Sequence, residues 1–188
     1  AVAAGETPVV LGDYSDRSGD ATFLLAEMLA QGVSNMLFGT LRDEHALAKL
    51  QEDNVQPGDK VTMALGGFAG PASGEPVHID GALAWRGAAM GYEQVAAIEF
   101  GNHNMLILTP AYEQVLYPEE MAIGPIRPDD YEVFVVKSRV HFRRGFDETG
   151  YAKTIIVVDA PGPFVGTTRL DALDYQHAPI RELYPFNE

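Results

Sequence analysis

Two short runs, Val133-Phe134-Val135-Val136 and Thr154-Ile155-Ile156-Val157-Val158, limit the folds open to this chain more than anything else in it. A strand with one wet face alternates apolar and polar residues. A run that stays apolar suits a strand covered on both faces, within a sheet that has layers packed above and below it. Between the two runs lies the basic stretch Lys137 to Arg144, followed by Gly145 and Gly150. There Val140, Phe142 and Phe146 fall at mixed spacing while the arginines point elsewhere, which predicts a short helix from about Ser138 lying on the sheet. Residues 133–162 therefore read as a β-α-β unit whose second strand breaks at Pro161 and Gly162. In open sheets of this kind ligands collect beyond the carboxyl ends of the strands, where Lys137, Ser138, His141 and Asp159 stand.

The opening of the chain follows the same logic. Pro8 to Asp13 reads as a short buried strand, and Asp20 as the N-cap of a helix carrying Leu24, Leu25, Met28 and Leu29. Asn35 to Leu41 is the next strand, and Asp43 caps a second helix with Ala46, Leu47 and Leu50 on its inner face. That β-α-β-α order implies parallel strands. The middle changes character: Lys60 to Phe68, Val77 to Arg86, Gln94 to Phe100 and Asn104 to Thr109 are strand-like runs split by glycine, proline and asparagine. The expectation is a mixed α/β fold over a single domain, residues 1–188, with an antiparallel β sub-lobe at about residues 60–110 inserted in the α/β layer. Pro118, Pro125 and Pro128 mark an irregular connection, and the tail after Pro163 is expected to wrap the surface.

Charge and cysteine content narrow the function classes. With 13 Lys and Arg against 27 Asp and Glu, the net charge of -14 argues against nucleic acid and anionic membranes as partners. No apolar run approaches a membrane span, and the absence of cysteine excludes disulfides, a thiolate nucleophile and Cys-based zinc sites. A cytoplasmic protein is the expectation. Yet four of the 13 cations lie between Lys137 and Arg144. They suit an anion or carboxylate site, and equally a solvated helix face paired with Asp147 and Glu148.

Three constellations could carry chemistry. The acidic loop with Asp13, Asp16 and Asp20 offers oxygens to a hard cation but lacks the spacing of a calcium loop, so its carboxylates are low-ranking metal candidates beside a turn and capping role. The five histidines, His45, His78, His103, His141 and His177, include no pair spaced for zinc. Among them His141 lies one helical turn past Lys137 and Ser138 and can share their side of the helix start. The Lys137-Ser138 pair invites a serine-nucleophile reading, but no G-x-S-x-G turn surrounds it.

Four segments also carry a resemblance: PVVLGDYSDRSGDATFLLAEML at 8–29, GGFAGPASGEPV at 66–77, VVKSRVHFRRGF at 135–146 and VVDAPGP at 157–163. Together they resemble the C-terminal domain of the microcystinase C (MlrC-like) family of zinc metallopeptidases, over nearly the whole chain and in the family's order. The resemblance implies a hydrolase whose zinc ligands lie in an N-terminal domain outside this chain. This piece would then form a wall of the substrate cleft, packed on that domain and inactive alone. Lys137, Ser138, His141 and Arg143 would bind a peptide-like or small carboxylate substrate, with Lys137, His141 and Arg143 neutralising its charge. The alternative is a non-catalytic module that binds anions or carboxylates, or one that acts as a regulatory interaction domain.

Overall fold

A computed structural model describes residues 1–14 and 18–159. In chain order these form β1 (Val9–Asp13), α1 (Phe23–Ala30), β2 (Met36–Arg42), α2 (Glu44–Glu52), β3 (Lys60–Leu65), β4 (Val77–Ala89), β5 (Tyr92–Phe100), β6 (Asn104–Thr109), β7 (Val133–Val136), α3 (Arg143–Phe146) and β8 (Thr154–Val158). The strands join one sheet in the order β3-β4-β5-β6-β2-β7-β1-β8. β6, β2, β7, β1 and β8 run parallel, whereas β3 to β6 are antiparallel neighbours. The expected mixed α/β fold is what forms. Its antiparallel strands continue the parallel ones through β6.

The burial pattern fits one of the two apolar runs and corrects the other: β8, expected to be covered on both faces, stands at the end of the strand order with Ile156 and Val157 43% and 42% exposed. β7 lies mid-sheet, with Val133 beside Val9 of β1 and Met36 of β2, and all four of its residues are buried. β8 pairs with β1, so the connection from β7 crosses over β1 before the chain re-enters the sheet. On one face α1 and α2 bury Leu24, Leu25, Met28, Leu47 and Leu50 against Phe38, Leu41 and Val135. The β3-β4 ribbon folds over the same core with Leu65 and Ile79. The other face is covered by the proline-rich connection, through Val115, Met121, Ile123 and Ile126, and by Phe142 and Phe146. Phe134, Phe146 and Tyr151 pack there with ring centroids 5.5 to 5.9 Å apart.

Three local expectations are corrected. The helix expected from about Ser138 is a single turn, Arg143–Phe146, because residues 138–142 are held by tertiary contacts described below. α1 begins at Phe23, and Asp20 does not cap it. The strand expected to reach Phe68 stops at Leu65, since Gly66 and Gly67 turn into positive φ (65° and 76°), which breaks the extended backbone. Asp43 caps α2 as expected, its Oδ1 accepting from the Ala46 N–H at 2.9 Å. The tail after Pro163 lies outside the described residues, as do 160–163 of the last resembling segment. Among the described residues no helix is long and apolar enough to cross a membrane.

Candidate functional site

β1 and β7 end side by side, Gly12 beside Val136, so the next residues, Asp13 and Lys137, meet at the carboxyl edge of the sheet. Lys137 Nζ lies 3.3 Å from Asp13 Oδ2 and donates to the Ala21 carbonyl at 2.8 Å. The two side chains are 0% and 8% exposed. The ammonium also stands 5.4 Å from the Phe38 ring centroid. Burial of such a pair is tolerated only because each charge has a partner; loss of either partner strands the other in low dielectric.

Immediately after it the backbone turns tightly. Ser138 Oγ accepts the Phe142 N–H at 3.2 Å and the Gln114 side-chain amide at 2.8 Å. The amide oxygen of Gln114 then faces His141 Nδ1 at 3.4 Å. Tyr112 donates its hydroxyl to the Lys137 carbonyl at 2.9 Å. The Arg139 guanidinium lies 4.1 Å over the Tyr14 ring, a cation-π contact between the two strand ends. Phe142 folds back under the turn onto Gly12.

The second resembling segment, residues 66–77, reaches the same edge through Asp20. Its Oδ2 accepts the N–H groups of Phe68 and Ala69 at 2.9 and 2.7 Å, and its Oδ1 accepts the Ser73 hydroxyl at 2.8 Å. Asp43 adds a bond from the Gly66 N–H at 2.9 Å. Two buried carboxylates therefore pin the Gly66 to Ser73 loop across the edge of the sheet. Burial would raise the Asp20 pKa, but hydrogen bonds from Ser18, Ser73, Ala69 and Phe68 outweigh it and hold the carboxyl below its ordinary range. Thr22, which precedes α1, donates its hydroxyl to the carbonyls of Ser73 and Glu75. Phe68 is left 52% exposed at the loop tip, edge-on to His45 at 6.1 Å.

The predicted site residues thus fall into two layers. Lys137 and Ser138 are buried beneath the turn, and His141 and Arg143 face outward. Arg143 pairs with Asp147 at 2.6 Å, as the solvated-face reading anticipates. Asp16 lies outside the described residues. Among the described residues no three His, Asp or Glu side chains are grouped to hold a metal ion. Asp13 faces the Lys137 ammonium, and Asp20 takes four protein donors. Among the described residues that donor set does not fit the zinc implied by the resemblance. Gln114 and Tyr112 escaped the sequence reading, since they stand in an irregular connection with no motif. Ser73 lies within the resembling segment 66–77, but its partner Asp20 is 53 residues away, so nothing local marked it.

Comparison with known proteins adds three findings. The family model described as MlrC C-terminus matches residues 17–177. No curated protein matches the chain. A crystal structure of a provisionally assigned metallopeptidase from Mesorhizobium sp. BNC1 superposes with a TM-score of 0.67 at 20% sequence identity; the match covers 91% of this chain and 39% of that one. At that identity the likeness carries the fold alone.

Proposed function

The chain belongs to the MlrC C-terminal family, and from that premise we propose that it is the C-terminal domain of a metal-dependent peptide hydrolase, one wall of a substrate cleft. The metal and its ligands lie, in this reading, on a domain outside these residues that packs against the carboxyl edge of the sheet. The observation that carries the proposal is convergence: segments 8–29, 66–77 and 135–146, far apart in sequence, are tied together at that edge by Asp13 with Lys137, Asp20 with Phe68 and Ala69, and Gly12 with Phe142. The match of this chain to 39% of its structural neighbour supports a larger assembly.

In this role the two layers divide the work. Lys137 and Ser138 anchor the turn from below, and Gln114 ties Ser138 to His141. His141 and Arg143 supply the outward charge and hydrogen-bond donors that would meet a substrate carboxylate or a developing oxyanion. Such groups act strongly once a partner surface excludes water. The 188-residue chain and the protein in its native length are assayed for hydrolysis of linear peptides, each with and without added zinc. Metal-dependent turnover by the native-length protein and none by the chain alone is the expected result. Chelator-sensitive turnover by the chain alone, or none by either, would overturn it.

A further inference from the structure

Away from the turn of Lys137 and His141, β4 and β5 meet the proline-rich connection at a cavity of about 560 Å3. Trp85, Ala89 and Met90 line it together with Glu113, Glu120 and Ile123, among others. Trp85 is the single tryptophan of the chain. Its indole is set in place by two glycines: a Cβ on Gly87 would stand 2.7 Å from the ring, and one on Gly124 would collide with it outright. The aromatic wall is therefore preformed. Such a wall beside a few polar groups is the usual make-up of a small-molecule pocket.

The electrostatics of the cavity have one sign. Among the described residues, the ionisable side chains lining it are Glu113 and Glu120. Both have structural partners. Glu120 accepts the backbone N–H groups of Leu116 and Tyr117 at 2.6 and 3.1 Å, and Glu113 accepts the Tyr92 hydroxyl. These donors are neutral, so they orient the carboxylates without cancelling their charge. Among the described residues neither glutamate has an ion-pair partner. The Arg127 guanidinium bonds the carbonyls of Gly124 and Ile126 and lines a separate cavity with Tyr131 and His103. A tryptophan ring and two carboxylates lining one cavity are complementary to a positive charge on an apolar stem: the ring quadrupole attracts the cation, the carboxylates accept its hydrogen bonds, and Met90 and Ile123 offer surface to the stem.

We propose that this cavity binds an organic cation, a guanidinium or ammonium group on an aliphatic stem, with its head between Trp85 and the carboxylates of Glu113 and Glu120. The inference goes beyond the hydrolase reading and does not depend on it, because it concerns the chain alone. It does bear on that reading, since Gln114, next to Glu113, bonds Ser138 and faces His141. A bound cation would therefore sit one residue along the same connection from the proposed substrate face.

The test is calorimetric and fluorimetric titration of the 188-residue chain, Trp85 serving as the reporter. The probes are agmatine as a free cation, acetyl-Ala-Arg-Ala-amide as a peptide-borne one, and the same peptide with citrulline in place of arginine as the uncharged control. Saturable binding of either cation is expected, with the tighter of the two naming the natural source, and the citrulline peptide should bind at least about tenfold more weakly. Glu113→Gln together with Glu120→Gln should weaken the cation by about tenfold or more while keeping the three structural hydrogen bonds, since glutamine still accepts. Unchanged circular dichroism and urea midpoint certify that the double variant folds. Equal binding of the citrulline peptide, unchanged affinity in the folded double variant, or no saturable response to either cation would overturn the proposal.

Discussion

Phe142 occupies the space that a side chain at Gly12 would need: a Cβ there would stand 2.8 Å from the edge of the Phe142 ring. This contact locks the end of β1 to the turn after β7. Phe142 is fully buried, and its amide is bonded to Ser138, so the ring has little freedom to withdraw. Gly12→Ala is expected to destabilise the chain by about 1 to 3 kcal/mol through overpacking. Adding Phe142→Leu should recover part of that loss, giving a combined effect smaller than the sum of the two single changes. Urea titration of the four proteins checks this, and strict additivity would refute the contact.

The Asp13 and Lys137 pair predicts a different pattern. Asp13→Ala or Lys137→Ala alone strands a charge where neither side chain has appreciable exposure, an effect of about 3 to 5 kcal/mol. Replacing both, with Asp13→Leu and Lys137→Met, removes the two charges together and should be much milder than either single change. Chemical denaturation distinguishes the outcomes. Single variants each losing less than about 1 kcal/mol would match an exposed pair and contradict the burial.

How much of this edge could be read from sequence depends on how far apart the partners lie. The Asp43 cap was legible because its partner, Ala46, is three residues on. Asp20 carries the same local signature, yet Phe68, Ala69 and Ser73, which donate to it, lie 48 to 53 residues away, so tertiary bonds overrode the capping preference. β1, β2 and β7 declared themselves by composition, since burial on both faces leaves little room for polar residues, whereas β8 is as apolar yet half exposed at the end of the sheet. The helix after Ser138 did not form as read, for Phe142 is drawn under Gly12 and Gly145 packs tightly against Leu116 and Tyr117. Lys137 was correctly placed at a strand end. Its burial could not be foreseen, because Asp13 is 124 residues distant in sequence.

Acid should loosen the Gly66 to Ser73 loop through Asp20. The folded pKa of this carboxyl lies below its ordinary value of 3.8, so the ionised group contributes stability that is complete above that value and is lost as pH falls through the folded pKa. Asp20→Asn should therefore destabilise the chain near neutrality by about 1 to 3 kcal/mol, because an amide cannot accept from all four donors and brings a donor of its own. The gap between wild type and variant should close as pH drops below 3.8. Urea midpoints measured across that range test it, and a gap that stays constant into acid would show that the ionised carboxylate is not what holds the loop.

The outward layer of the candidate site permits the cleanest functional experiment, because its members contribute little to folding. His141 is exposed, and the Arg143 pair with Asp147 is a partly exposed i,i+4 contact of the kind worth only about 0.3 to 0.5 kcal/mol. His141→Ala and Arg143→Ala should consequently leave the urea midpoint nearly unchanged. If these groups meet substrate charge in the cleft of the native-length protein, each substitution should lower kcat/KM by about tenfold, as expected when a charge-assisted hydrogen bond used in the transition state is lost. Metal content should be unaffected, since neither residue is proposed as a ligand. Ser138→Ala should act in the opposite sense, with a lower midpoint and a smaller loss of kcat/KM per folded molecule, because Ser138 holds the turn from beneath and is not assigned as a nucleophile. Wild-type kcat/KM in both His141→Ala and Arg143→Ala, measured on folded protein, would remove these residues from the substrate face and leave the basic turn a solvated surface.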